Sequence, residues 1–598
     1  MNTSACGYDN ACVENGGVFD YVIVGAGTAG APLAKLLSDD FGVSVFIVEG
    51  GPDLRRDPAV LRSINPVAEN IPSYKFTADI ARALPNPITG ASTEFSEGRL
   101  WGGSSGHNFL QAVRGTPCLY DRWACISGND NWCYENALSA MVYLEHYTSV
   151  CDGVNTLERG TSGPLFITQL GPPVVPACVN PDSPLSWALA ANGSLYSGDY
   201  NDPTRGVFVF GEIQQFVRPE PPFNRSWAAS AFLGFDVVDE NGEGVDGRQL
   251  TIESNAEAIR VLFDDDLDER TFMNVAGLPR ARHRKNVRHH RGHHPGEQFT
   301  RASKPGCEVR GNAPVTARGV RYHDASGNTV DVFARKKVIL SAGTVGTPVI
   351  LARSGIGPRE ELERLGVPIR VVNDNVGTNL QNHYGPATVI PASPGSEVFI
   401  TAFFAGQCST NEGCREIQLI MLPGEIAPGV PAVTILAANL VPEPSGVIRP
   451  SCSLNPRDIV IDFNFYEEAK DIALTVRILK LIGNISIESS GRLPFFPPPE
   501  TYPASEYAQH GGQASSDQAL IEFALANTIV FNHNSGSARM SRTAECGVVD
   551  GNLDVHCVEH LGIADNSVVP IINDGNTAYT AYVVGLLKAK IEGAPVPF

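Results

Sequence analysis

A glycine turn set between two strand patterns constrains this chain more than any other feature. Residues Phe19-Asp20-Tyr21-Val22-Ile23-Val24 read as a buried strand, Gly25-Ala26-Gly27-Thr28-Ala29-Gly30 follows as a turn, and Ala31 to Leu37 reads as a helix. A second strand, Val43 to Val48, ends at Glu49. Strand, turn, helix and strand within about 30 residues make the opening unit of a dinucleotide-binding fold. Gly25 permits the tight turn, Gly27 lets backbone approach a pyrophosphate, and Gly30 allows close helix–strand packing. Thr28 and Ala29 complete the turn, and the helix N-terminus beyond them presents partial positive charge to phosphate. Glu49 is placed to accept hydrogen bonds from a ribose diol. The unit does not by itself separate a flavin from a nicotinamide dinucleotide.

The remainder of the chain is large enough for more than this unit. With 598 residues, 43% of them hydrophobic, it exceeds one simple domain. Its 59 glycines and 43 prolines suit a loop-rich enzyme. The formal net charge of -20 disfavours non-specific nucleic-acid binding over the whole body. No apolar run approaches the ~18 residues of a membrane helix, so no membrane partner is expected. Met1 to Gly17 is polar and shows no secretory signal, which leaves localisation open, with secretion and association with a virion both compatible. The 13 cysteines include close pairs at Cys6/Cys12, Cys125/Cys133, Cys408/Cys414 and Cys546/Cys557, so local disulfides and scattered thiols both stay open.

Further strand patterns occupy 250–263 and 317–340, a strand-then-helix pattern occupies 338–366, and β-rich runs fill 395–465. A closing helix spans Tyr579 to Ile591.

Three long segments narrow the cofactor. Gly98-Arg99-Leu100-Trp101-Gly102-Gly103-Ser104-Ser105-Gly106-His107-Asn108, continued by Ala112, Gly115 and Asp121, resembles the first signature of the glucose–methanol–choline (GMC) oxidoreductases. Residues 343–357, from Gly343-Thr344-Val345-Gly346 to Ser354-Gly355-Ile356-Gly357, resemble the second signature. Asn375-Val376-Gly377-Thr378-Asn379-Leu380-Gln381-Asn382-His383 resembles a third family segment, with Asn382 where Asp is usual. Near the C-terminus, His533-Asn534-Ser535-Gly536-Ser537-Ala538-Arg539-Met540 resembles the family's active-site histidine motif, with Ser537 replacing Thr.

The resemblance implies an α/β fold: a discontinuous Rossmann-like FAD-binding domain and an α+β substrate domain with an antiparallel sheet. The expected division is an N-terminal extension (1–18), FAD-binding parts at 19–130, 206–370 and 536–598, and substrate-domain parts at 131–205 and 371–535. The implied cofactor is FAD, held by Gly25, Gly27, Thr28, Ala29, Gly30, Glu49, Gly102, Gly103, Ser104, Ser105, His107, Asn108, Ala258, Asp565, Asn576 and Thr577. The implied activity is oxidation of a small-molecule alcohol, with oxygen or another electron acceptor, by a dimer or higher oligomer. His533 is the implied base that takes the hydroxyl proton, and Asn576 the group that hydrogen-bonds the same oxygen as charge develops on it. His107 departs from the usual aliphatic residue. Choline oxidase-like members carry His-Asn there, with the histidine bonded to the flavin 8α-methyl group, which implies a covalent His107–FAD link.

A charged insertion, 264–312, follows the strand at 250–263. Its acidic block, Asp264-Asp265-Asp266-Leu267-Asp268-Glu269, precedes a basic, His-rich run from Arg280 to His294. A solvated loop and a polyanion or nucleic-acid contact through 280–294 both stay open. No metal site is expected there, since the histidines lack ligand spacing. Two further uses of the scaffold remain: a structural or genome-packaging protein, as in some giant-virus members, and a hydroxynitrile lyase.

Overall fold

The computed structural model describes residues 13–62, 71–79, 92–149, 151, 158–171, 175–176, 178–276, 299–301, 308–310, 314–391, 399–405, 413–427, 430–443, 446–451, 458–490 and 517–598. In chain order, the elements that position the site begin with β1 (Val13–Val24), α1 (Gly30–Ser38), β2 (Val45–Val48), β3 (Ser92–Gly98), α2 (Pro117–Ser127) and β4 (Val209–Glu212). They continue with β5 (Leu250–Glu253), β6 (Glu257–Phe263), β7 (Val315–His323), β8 (Thr329–Leu340) and α3 (Gly343–Arg353). Next come β9 (Tyr384–Pro391), β10 (Ile400–Phe404), β11 (Ile417–Ala427), β12 (Val430–Asn439) and α4 (Ala469–Ser490). The chain closes with β13 (Thr528–Val530), β14 (Leu561–Ile563) and α5 (Ala578–Ile591).

The first sheet runs β5–β2–β1–β8–β7–β6, with β14 alongside β8. Its centre is parallel: β1 pairs β2 and β8, β2 pairs β5, and β8 pairs β14. Parallel strands covered on both faces need apolar side chains on both, and Tyr21 to Val24 and Val45 to Val48 are accordingly all buried. The helix α1 is buried along almost its whole length, which explains why its sequence lacks a polar stripe. It packs against α5, and this contact brings the chain's C-terminal helix onto the glycine turn. The first strand begins at Val13, earlier than the Phe19 read from sequence, and pairs Val13 with Thr329, with register shifts between Asn15 and Val18 and between Phe19 and Tyr21.

The second sheet runs β13–β9–β12–β11–β10–β4, ending on Leu195–Tyr196. It is antiparallel apart from that last pair. One face packs on α4 through Ile435, Leu479 and Ile482, all buried. β4 belongs here, pairing Phe210 with Ala402, although the sequence placed 206–370 with the cofactor domain. The four residues of β4 are too few for a pattern that distinguishes one sheet from another.

Against the first turn of α5 lies a buried ionic cluster. Arg114 donates to Glu145 at 2.9 and 2.6 Å, and Arg159 reaches both Glu145 and Asp199. Tyr579, in that turn, also donates to Glu145. Every carboxylate there is paired, which is the condition on which buried charge is tolerated.

The described disulfides are Cys118–Cys414 and Cys151–Cys178, separated by 296 and 27 residues. Local pairing of Cys125 with Cys133 does not occur; both are free thiols, as is Cys546. Cys557 is disulfide-bonded. Cys6, Cys12 and Cys408 lie outside the described residues, as does the basic run 280–294. Among the described residues, no helix is long and apolar enough to cross a membrane.

Candidate functional site

One cavity of about 680 Å³ extends from the glycine turn and Glu49 at one end to His533 and Asn576 at the other. Of the site residues read from sequence, Gly25, Gly27, Thr28, Ala29, Glu49, Gly103, Ser104, Ser105, His107, Asn108, Ala258, His533, Asp565, Asn576 and Thr577 all line it. Gly30 and Gly102 do not, and they shape the turns from behind.

At the glycine turn, Gly25 has φ +103°, which L side chains rarely adopt, and a Cβ there would overlap the Ser341 carbonyl oxygen. A Cβ on Gly30 would overlap the Gly25 carbonyl oxygen, so helix and strand meet at contact. Gly27 differs: a Cβ there would find nothing closer than 3.9 Å. Its face is open to the cavity, as a pyrophosphate approach requires. The turn is braced by the second glycine segment, through Gly102 N–H to the Ala26 carbonyl at 2.7 Å and Ser105 N–H to Thr28 Oγ1 at 3.2 Å. Ser105 Oγ closes its own turn on the Gly102 carbonyl at 2.6 Å, and Ser104 Oγ accepts from Gly98 N–H at 3.1 Å.

Glu49 is buried and accepts from Ala26 N–H and Gly51 N–H, both at 2.7 Å. Burial pushes its carboxyl up to about 7, against the pull of those two amides. Asp565 accepts from Gly343 N–H at 3.0 Å and Thr347 Oγ1 at 2.6 Å, at the N-terminus of α3, and from Ser567 N–H at 2.8 Å. It thereby joins the second signature segment to the chain that leads into α5. Asn566 Oδ1, also lining the cavity, is buried without a protein partner. The open face at Gly27, the cavity-lining carboxyl at Glu49 and this unpaired acceptor fit an extended dinucleotide. FAD would be held by the two glycine segments, Glu49, Ala258, Asp565 and Thr577.

His107 follows the turn Gly103–Gly106 and donates its backbone N–H to the Ser104 carbonyl at 3.1 Å. It is buried and lines the cavity. Burial, with Arg225 nearby, lowers its imidazole to about 4, so the ring is neutral near pH 7. Asn108 Oδ1 accepts from Arg225 at 2.6 Å.

At the other end, His533 and Asn576 meet directly, with Asn576 Nδ2 3.1 Å from His533 Nε2. The amide is oriented by Gln418, whose Nε2 donates to Asn576 Oδ1 at 3.1 Å and to Thr401 Oγ1 at 3.1 Å. On its other side, His533 Nδ1 lies 2.9 Å from Nδ1 of His383. With the amide NH₂ turned to Nε2, Nε2 is the acceptor, and a neutral His533 carries its proton on Nδ1. That proton points at His383. Burial lowers the His533 imidazole to about 3, and it also lowers His383 well below the ordinary range, with the neighbouring His533 as a second cause.

Two of these residues escaped the sequence reading. His383 was visible at the end of the third family segment, but nothing there showed that it would face His533. Gln418 had only the alternation of a strand to mark it. The residues at the two departures from the family motifs both make hydrogen bonds. Asn382 Oδ1 accepts from His533 N–H at 2.8 Å, and Ser537 Oγ donates to the Thr344 carbonyl at 2.5 Å. His556, to which the sequence assigns no role, has Nε2 3.1 Å from the Ser541 carbonyl. Among the described residues, no cluster of metal-ligating side chains occurs.

Two segments match the GMC oxidoreductase family, residues 310–385 its N-terminal part and residues 442–585 its C-terminal part. The chain is 27% identical to the oxygen-dependent choline dehydrogenase of Pseudomonas fluorescens, with 97% of this chain and 94% of that protein covered. The corresponding protein of Cronobacter sakazakii is 26% identical over 95% of this chain and 93% of its own. In fold, the chain is similar to pyridoxine 4-oxidase from Mesorbium loti (TM-score 0.71, 22% identity, 96% and 98% of the two chains). It is also similar to a fungal aryl-alcohol oxidase (TM-score 0.71, 20% identity, 96% and 98%). The two-sheet fold, the cavity with its glycine segments, and the matched N- and C-terminal parts agree: the chain belongs to the GMC oxidoreductases and is an FAD-dependent enzyme of that family.

Proposed function

We propose that this protein oxidises a CH–OH group, with His533 removing the hydroxyl proton and Asn576 holding the oxygen. The observation that carries this reading is the His533–Asn576 pair at the end of the cavity, with the Nε2 lone pair of a neutral imidazole beside an amide donor. Bound FAD supplies a hydride acceptor. The protein's part is to place the carbinol, take the proton at His533 Nε2 and stabilise alkoxide-like charge with Asn576 Nδ2. His383 receives the hydrogen bond from His533 Nδ1 and fixes the ring's tautomer. The alcohol leaves as aldehyde or ketone, and an external acceptor takes the two electrons afterwards.

For His107, we propose a covalent bond to the flavin. The neutral, buried imidazole beside the Gly103–Gly106 turn supports that role. The test of the main reading is a flavin-reduction screen under nitrogen against aryl, alkyl, sugar and amino alcohols, followed by admission of air. Bleaching by an alcohol, with colour restored by air, is the expected result. No bleaching by any alcohol would set the reading aside in favour of a lyase or structural role.

A further inference from the structure

We infer that the reactive end of the cavity is built for an uncharged alcohol with an apolar body, aromatic or branched alkyl, and disfavours a quaternary ammonium alcohol. This rests on the reading that His533 and Asn576 face the carbinol.

The wall beside the pair follows from the period of a strand. Successive side chains of β11 alternate faces, so Gln418, Ile420 and Leu422 share one. Gln418 touches Asn576, and Ile420 and Leu422 therefore carry the same face onward from the catalytic pair. Across the sheet, Ile420 pairs with Leu436 of β12, which lines the cavity too. Phe399 and Phe531 also line the cavity, the latter two residues before His533.

The carboxyl groups that line the cavity come from other elements. Among the described lining residues they are Glu49, Glu97, Glu257 and Asp565. Glu49 is taken by the glycine turn, Glu257 accepts from the Tyr74 hydroxyl at 3.1 Å, and Asp565 caps α3. Glu97 has Asn534 Nδ2 3.4 Å away and lies against the N-terminus of α3, where a Cβ on Gly343 would come within 2.8 Å of its Oε2. None is on the β11–β12 wall.

An ammonium enclosed by aliphatic side chains loses its hydration without a counter-charge. The Phe399 and Phe531 rings offset part of that loss through their faces. A tert-butyl or phenyl group has no such hydration to lose and gains from leaving water.

The discriminating pair is choline and 3,3-dimethylbutan-1-ol, alike in shape and different in charge. FAD-loaded protein is expected to be reduced with a kcat/KM at least 100-fold higher for the neutral alcohol. Ile420→Glu, or Leu422→Glu if the first variant fails to load FAD, is expected to shift that ratio at least tenfold toward choline. Binding is read separately, from changes in the flavin's visible spectrum, with 2-phenylpropan-2-ol and phenyltrimethylammonium, which have no carbinol hydrogen to give up. Tighter binding of the neutral compound supports the inference even if no primary alcohol reduces the flavin; in that case it is the catalytic reading that fails. Equal or tighter binding of the cation, or preferential reduction by choline, overturns the inference.

Discussion

Asn576 Nδ2 stands 3.1 Å from His533 Nε2, and Gln418 holds the amide in that orientation from the opposite side. The sequence of donors and acceptors is thus directional: Gln418 donates to Asn576, Asn576 to His533, and His533 through Nδ1 to His383. In the proposed reaction, His533 Nε2 is the atom that meets the substrate hydroxyl. Because Asn576 donates to the same atom, an alcohol bound there as proposed competes with the amide for the lone pair, and its oxygen then accepts the amide's hydrogen bond instead.

Gln418 should therefore act through Asn576. Gln418→Leu removes the hydrogen bond that orients the amide, of about 1 kcal/mol, which corresponds to a fall of roughly fivefold in the rate of flavin reduction. On an Asn576→Ala background the same substitution should cause no further fall. An equal loss in both backgrounds, measured by stopped-flow, would show that Gln418 acts on structure rather than on the amide.

The histidine next to the second glycine turn leads to a test without kinetics. Wild-type protein, precipitated with acid, should keep its yellow colour, and mass spectrometry should find FAD on the peptide containing His107. His107→Ala should fold and bind FAD but release it on denaturation. Full release of flavin from loaded wild-type protein would reduce His107 to a packing neighbour.

Burial of neutral His533 has a cost in acid. Its folded value, about 3, lies below the ordinary 6.5. Between these pH values the unfolded chain binds the extra proton, so stability falls as pH drops through 6.5, at about 1.4 kcal/mol per pH unit. His533→Gln removes that dependence. The unfolding free energy of wild type minus that of the variant should shrink by about 2 kcal/mol between pH 7 and pH 5. Denaturant titrations at the two pH values measure it, and a constant difference would mean that His533 is not held neutral.

The glycine-turn end of this cavity was legible because its geometry is local. Gly25, Gly27 and Gly30 lie within one turn, and backbone conformation at such positions restricts the residue type directly. Glu49 was legible for the same reason, one strand later. The reactive half is assembled from distant segments: His383, Gln418, His533 and Asn576 come from three strands or loops and the approach to a helix. Only motif resemblance marked His533 and Asn576. Gln418 carried no local mark, since a buried amide on a strand is decided by what the opposite element brings to it. The disulfide Cys118–Cys414 was hidden likewise, because closeness in sequence favoured other pairs over cysteines 296 residues apart.

The most direct measurement is the rate of anaerobic flavin reduction by the best alcohol substrate, in wild-type protein and in His533→Ala with FAD loading matched. Loss of a general base slows such a step by about two to four orders of magnitude. A fall of that size, with FAD binding intact, is the expected result. An unchanged rate would contradict it and remove His533 from the chemistry.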